Sequence, residues 1–524
     1  MSFPLTALDV VRRAAWVLSA ALFAGCGGGG GPALPGESVL PTLPLATGEL
    51  EADQTHLQAL SAGGINLPPY SSQDYRNTGN GVRVAMLDTS IQIRHPDLAE
   101  RVVRAYDFID WDEDPSPALG STVGWHGTAT AGLVAASANG LGVRGVAPLA
   151  SLFAYRVIAD DANQRSGALH LALADALSAS AQVVNNSWTH QDNDVLTAVD
   201  SEWLAAMANG VTLTRGPVVV FAAGNGGNGS LSNYDRYTND YRVIAVGALE
   251  AGGQSSTYSE PGANVLISAP GTNMVTTDLV GVDGVSPTDY TTVSSRFIGT
   301  SAAAPVVSGV IALMLQANSR LTPRDVAWIL AQTAAPVVCN ECQGGSWLAA
   351  SASANGFPPF SHKYGFGRVD AAAAVSLASA FTPVTAVQTC DSGWLTPGTA
   401  PQFSLRIPDN SSAGVSSSTT NLNNCNLTVD RIEVMLEASL ASGRLTNYSG
   451  DLAVTLTSPS GALSTLARPS DCAGRCADIS KGFTFSSVRH MGERAAGAWT
   501  LKVSDEQRND ESTFDRWRLV IHGH

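Results

Sequence analysis

Val82-Arg83-Val84-Ala85-Met86-Leu87-Asp88 is a short, mostly apolar run closed by one carboxylate, and its reading decides the fold. Its length suits one strand buried on both faces, which shows a near-continuous hydrophobic run rather than an alternation. Further runs of this kind, Val183-Val184, Val218 to Ala222 and Val243 to Val246, alternate with small-residue helical stretches. Over residues 51–380 this is the pattern of an α/β domain built on a parallel sheet. Open parallel sheets bind ligands beyond the carboxyl ends of their strands, so Asp88 stands where function is expected.

The texture changes past Pro383. Ile432, Val434 and Leu436 alternate with Glu433 and Met435, and the same period of two returns at Trp499, Leu501 and Val503 and at Trp517, Leu519 and Ile521. An all-β second domain is expected over residues 384–524. Two domains also suit a chain of 524 residues. With 44% hydrophobic and 14% charged residues the chain can bury large cores, which excludes wholesale disorder. Its 45 acidic against 30 basic residues exclude a nucleic-acid backbone as principal partner and suit a positively charged substrate.

Two more segments carry residue types that hydrolysis needs. His126 opens His126-Gly127-Thr128 ahead of a small-residue helix, and Ser301 lies in Gly299-Thr300-Ser301-Ala302-Ala303-Ala304-Pro305. Gly299 permits a tight approach, and Pro305 suits an early helical turn. A serine at a helix N-terminus gains from the positive end of the dipole as its oxygen develops charge. Singly, each has a structural explanation: a strand-end acid, a chance triplet, a helix cap. Together, Asp88, His126 and Ser301 stand in the chain order of the subtilisin triad.

The chain resembles the subtilisin-like serine proteases in these three segments, in His95-Pro96-Asp97-Leu98 and in Ala222-Ala223-Gly224-Asn225-Gly226. The resemblance implies a triad of Asp88, His126 and Ser301, with the Asn225 amide helping to hold the oxyanion. Ser90 departs from the glycine usual two residues after the aspartate. Within that family the chain is similar to the kexin and furin branch, the proprotein convertases, through Asn185-Asn186-Ser187-Trp188, Tyr234-Asp235-Arg236-Tyr237-Thr238-Asn239 and Tyr258-Ser259-Glu260. Gly450-Asp451-Leu452, Leu456-Thr457-Ser458-Pro459 and Gly497-Ala498-Trp499-Thr500-Leu501 are similar to the convertase P domain, a jelly-roll-like β sandwich. The implied activity is hydrolysis of polypeptides after a basic residue, with Ser187, Trp188, Asp192 and Asp235 forming the substrate pocket. Thr89 stands where convertases carry a second acid, so a second basic residue should add little. Calcium is implied near the pocket, with Asp192 and Glu260 as ligands, although Ser230 replaces a third carboxylate. No organic cofactor is implied. The alternative is a catalytically silent surface protein that binds or adheres through the β domain.

Arg12 and Arg13 precede an apolar stretch from Ala14 to Gly25, the length of a signal-peptide core (residues 1–25). Leu22-Phe23-Ala24-Gly25-Cys26 resembles a bacterial lipobox, which implies export and a lipid anchor on Cys26; cleavage without lipid is the other reading. Residues 26–50 read as a flexible tether. The other six cysteines of this exported chain group as Cys339-Cys342, Cys390-Cys425 and Cys472-Cys476, read as three disulfides. Relatives usually carry a propeptide, whereas the catalytic match begins near residue 51. A separately encoded folding chaperone or inhibitor, one that also shields the cleft, is therefore expected, with polypeptides as substrates and membrane contact only through the lipid anchor.

Overall fold

The computed structural model describes residues 47–70, 75–118, 120–121, 123–160, 166–189, 196–197, 200–281, 283–292, 297–337, 356–384, 386–440, 449–469, 479–508 and 511–524. Seven strands form one sheet: β1 (Arg83–Asp88), β2 (Val102–Asp107), β3 (Ser151–Arg156), β4 (Val183–Asn186), β5 (Val218–Ala222), β6 (Val243–Leu249) and β7 (Val265–Pro270). Their order is β2-β3-β1-β4-β5-β6-β7, and every described pairing is parallel. Residues Val84 to Asp88 and all of β4 through β7 are buried. That explains why these strands read as apolar runs: helices cover both faces.

Six helices pack on or beside the sheet: α1 (His126–Ala135), α2 (Leu169–Ser178), α3 (Ser201–Gly210), α4 (Thr300–Ala317), α5 (Pro323–Thr333) and α6 (Ala371–Ala380). Helix α4 is the one described helix long and apolar enough to cross a membrane, yet 83% of its apolar window is buried inside the protein. It is the core helix expected around Val306 to Leu315. Helix α5 starts on a capping box, with Thr322 Oγ1 accepting from Asp325 N–H and the Asp325 carboxylate accepting from Thr322 N–H.

From β1 the chain runs to β2 at the sheet edge, returns to β3 between β2 and β1, then crosses past β1 to β4 and runs outward to β7. Strand order therefore reverses at β1 and β4, and the crevice beyond their carboxyl ends is the natural binding site of such a sheet. Asp88 is the last residue of β1.

The second region is a two-sheet antiparallel structure. Strands β8 (Gln388–Asp391), β9 (Leu405–Arg406), β10 (Ser411–Ser418), β11 (Val429–Leu440), β12 (Leu452–Thr457), β13 (Leu463–Ala467), β14 (Phe483–Ser487), β15 (Thr500–Asp505) and β16 (Ser512–Gly523) divide into β10-β15-β12-β13 and β14-β11-β16-β8, with β9 also on β16. Ile432, Val434, Leu436, Leu501, Val503, Leu519 and Ile521 face one shared core with Trp499 and Trp517. Each buried indole N–H has an acceptor, Ala495 O at 2.8 Å and Ser417 Oγ at 2.9 Å. Cys390 and Cys425 form a disulfide. Cys26, Cys339, Cys342, Cys472 and Cys476 lie outside the described residues.

Within residues 47–50, Gly48 is buried and Leu50 N–H donates to Gly142 O at 2.7 Å, while Thr47 and Glu49 are exposed. Gln54 continues this attachment through Arg144 O at 2.9 Å.

The β region is joined to the sheet domain by buried polar groups. Asn233 Nδ2 donates to Ser486 O at 2.9 Å, and Arg324 donates to the buried Asp430 carboxylate at 3.0 Å. The rings of Tyr241 and His522 stack with centroids 4.2 Å apart. His362 Nε2 accepts from Thr465 N–H at 3.1 Å.

Candidate active site

Beyond β1, the side chain of Asp88 is fixed from several directions. Its Oδ1 accepts from Thr89 N–H at 2.7 Å and lies 2.7 Å from His126 Nδ1, while Oδ2 accepts from Thr130 Oγ1 at 3.0 Å. The carboxylate is 1% exposed and the imidazole 29%, so the ring lies between the buried acid and solvent. His126 begins α1, and Thr130 follows one helical turn later on the same face. Burial alone would lower the imidazole's pKa. The charge and hydrogen bond of Asp88, helped by the charge of Asp160, outweigh it and hold the pKa above the ordinary value. Phe297 meets the imidazole edge-on at 5.5 Å and Trp125 at 5.6 Å, a further limit on ring rotation.

Ser301 is the second residue of α4, buried to 9% exposure. Its N–H falls in the first turn, where no intrahelical acceptor exists. Gly299, just before the helix, has φ +128°, which side chains rarely adopt. A Cβ there would lie 3.5 Å from both Ser301 N and Asn225 Oδ1 and 3.8 Å from Asn225 Nδ2, so Ser301 N–H and the Asn225 amide both lie close to Gly299. Asn225 follows β5, and its Oδ1 accepts from both Thr300 N–H at 2.9 Å and Thr300 Oγ1 at 3.0 Å. With that oxygen committed, the amide's free end is its donor. The arrangement suits a hydroxyl nucleophile, a base oriented by a carboxylate, and donors for a developing negative charge.

The expected pocket residues are less uniform. Ser187 is buried, and its Oγ accepts from Asn185 Nδ2 at 2.9 Å. Trp188 is turned inward: its Nε1–H donates to Leu87 O at 2.7 Å, and its ring meets Phe221 and Tyr237 edge-on, both at 5.1 Å. Asp235 is buried, with Oδ1 accepting from Tyr237 N–H at 2.8 Å and Thr238 N–H at 2.9 Å. Asp192 lies outside the described residues.

Glu260 is 3% exposed beneath the Asn225 loop, with Oε1 accepting from Gly226 N–H at 3.0 Å. Gly224 is required above it, because a Cβ there would fall 2.4 Å from the Glu260 carboxyl carbon. Calcium takes six to eight oxygens. Among the described residues no group of three or more His, Cys, Asp or Glu side chains converges on one point.

Four residues of this centre were not read from the sequence. Thr130 was findable, since a polar residue four after His126 shares its helix face. Thr300 adjoins Ser301 in the same motif. Phe297 carries no signal beyond its apolarity. Asp160 gave no local signal; it follows β3, the neighbour of β1, and its carboxylate accepts from Ser90 N–H at 3.2 Å and Ser90 Oγ at 2.5 Å.

A model of the subtilase family matches residues 79–367, and one of the proprotein convertase P-domain matches residues 441–521. The chain is 32% identical to furin-like protease 2 of Drosophila melanogaster over 497 residues, 90% of this chain and 28% of that protein. It is 31% identical to protease KEX1 of Kluyveromyces lactis over 464 residues, covering 85% and 56%, and 31% identical to furin of Homo sapiens over 494 residues, covering 90% and 57%. The chain thus spans less than two thirds of the length of these curated relatives. Among solved structures, the serine protease of Aeromonas sobria in complex with a chaperone superposes with a TM-score of 0.76 at 25% identity, covering 91% of this chain and 95% of that one.

Proposed function

Because the chain belongs to the subtilase family and carries a proprotein convertase P-domain, we propose that it is a serine endopeptidase working through Asp88, His126 and Ser301. The observation that carries this reading is the 2.7 Å contact of His126 Nδ1 with the buried Asp88 carboxylate. Held this way, the imidazole keeps its proton on Nδ1 and leaves Nε2 to act as base. As Ser301 Oγ bonds to the scissile carbonyl carbon, His126 Nε2 takes the hydroxyl proton. The carbonyl electron pair moves onto oxygen, where Asn225 Nδ2–H and Ser301 N–H receive it; one such donor is worth about 10²–10³ in rate. The C–N bond then breaks as the imidazolium gives its proton to the amine. Water repeats the sequence on the acyl-enzyme.

For substrate, the reading is a polypeptide cut after Arg or Lys. Asp235 supports it as a buried carboxylate in the segment that resembles the convertase pocket, joined by Asp192 in the proposal. A buried guanidinium needs such partners. The chain is proposed to be exported, with lipid on Cys26. Folding with a separate chaperone is proposed on the likeness to the Aeromonas sobria protease, which was solved with one. Calcium remains part of the proposal only through Asp192 and Glu260, and no catalytic step runs through it.

The test is a panel of fluorogenic peptides differing only in the residue before the cut. Cleavage of Arg and Lys peptides at least tenfold faster than Leu or Phe peptides is expected. A preference for Leu or Phe would overturn the substrate assignment, and no cleavage of any peptide would overturn the enzyme reading.

A further inference from the structure

The Asn225 loop is fastened at three places. Thr300 holds Asn225 itself, Glu260 and Tyr258 O take the N–H groups of Gly226 and Gly227, and the far end is held from the β region. There Arg468 Nη2 donates to Asn228 O and to Ser230 O, both at 2.8 Å. The backbone of the same arginine grips a second loop: Tyr234 OH donates to Arg468 O at 2.6 Å and accepts from Arg468 N–H at 2.7 Å. Tyr234 is the immediate neighbour of Asp235. One residue just past β13 therefore meets both segments that bear on substrate, the loop carrying Asn225 and the turn carrying Asp235.

The chemistry of this contact is specific. Ser230 stands where the family resemblance calls for a carboxylate ligand of calcium, and the cation that reaches its carbonyl here is a guanidinium. Two carbonyls share one nitrogen of a planar donor group, a geometry that a lysine ammonium on a flexible stem does not fix equally well. Hydrogen bonds to a charged donor are about twice as strong as neutral ones. Ser232 N–H to Pro261 O at 2.9 Å then passes the loop on to the Asp235 turn, so slack at Asn228 and Ser230 falls between the two substrate-bearing segments.

We propose that Arg468 is a positioning residue for catalysis: its guanidinium sets the far end of the Asn225 loop, while its backbone holds Tyr234 beside the Asp235 turn. This rests on the endopeptidase reading above for its kinetic consequences, but not for its structural one. Placement of an oxyanion donor acts in the transition state, so its loss lowers kcat more than it raises KM.

The test compares wild type, Arg468→Lys and Arg468→Met as full chains, by peptide kinetics and by hydrogen exchange at residues 225–230 and 234–238. Expected for Arg468→Met are a fall in kcat on the order of tenfold, KM within about twofold, and faster exchange at residues 225–230, against a smaller change at 234–238, which the Arg468 backbone still holds, and unchanged exchange in β1 and α1. Arg468→Lys should lie between, and millimolar guanidinium chloride should restore part of the Arg468→Met activity. Unchanged exchange at 225–230 would overturn the proposal whether or not the chain cleaves peptides. So would rescue by calcium and not by guanidinium, which would make the loop metal-held. A wild-type chain without Ser301-dependent turnover would instead sink the endopeptidase reading, and the exchange result would still decide this one.

Discussion

Acid should loosen the junction between the two regions through a single imidazole. His362 lies in the sheet domain beside Phe360, and its Nε2 accepts the N–H of Thr465 in β13, which places its own proton on Nδ1. Protonation would set a second N–H against that donor. Burial, together with the nearby Arg489, His490 and Arg468, pushes the pKa from 6.5 down to about 4. The folded state thus resists the proton and the unfolded chain accepts it. Stability from neutral His362 is complete above pH 6.5 and drains as pH falls toward 4. At about 1.4 kcal/mol per pH across that interval, and with the folded imidazole itself half protonated at its end, the loss comes to about 3 kcal/mol by pH 4. His362→Gln keeps an acceptor for Thr465 N–H and cannot titrate. Denaturant unfolding of both proteins from pH 7.5 to 4 measures the difference: wild type should lose about 3 kcal/mol more than the variant. Parallel curves would refute the argument that this imidazole is held neutral by the junction.

Three further outcomes follow from the site and its supports. Asn225→Ala should slow turnover about 10²-fold with little change in KM; a pure KM effect in steady-state kinetics would move Asn225 out of the oxyanion role. Because His126 must be neutral to accept the serine proton, kcat/KM should rise with pH through its raised pKa. Removing the Asp160 charge in Asp160→Asn should move that acid limb to lower pH, and an unmoved limb would show that Asp160 does not act on the imidazole. Asp430→Ala leaves the Arg324 guanidinium buried without its carboxylate from the β region, so unfolding free energy should fall by about 3–5 kcal/mol, and a smaller loss would mean that Asp325 and His524 suffice.

The centre of the fold was legible because its signals are local. Val218 to Ala222 forms β5 as read, and the run Val82 to Leu87 is offset from β1 by one residue at each end, because buried parallel strands announce themselves by apolarity. Val183-Val184 and Val243 to Val246 were read short: Asn185, Asn186 and Gly247 belong to strands although none favours one by itself. Asp88, His126, Asn225 and Ser301 stood out as candidates for another reason, since each lies near a strand end or helix start and the proposed chemistry admits few residue types. The Asp160 contact with Ser90 and the Arg468 clamp were not legible. They join polar residues 70 and 238 positions apart, and a lone charged residue in sequence looks the same whether it meets solvent or a carbonyl. Trp188 illustrates the converse: its motif marks the place, while its indole serves the core through Leu87 O.

Covalent labelling with a fluorophosphonate tests the central claim most directly. The reagent bonds to an activated serine Oγ as fluoride leaves, and peptide mass spectrometry locates the adduct. Stoichiometric, activity-abolishing modification of Ser301 is expected in wild type, with no labelling and no turnover in a Ser301→Ala chain that unfolds at the same denaturant concentration. Turnover retained by Ser301→Ala, or an inactivating label on another residue, would contradict the assignment.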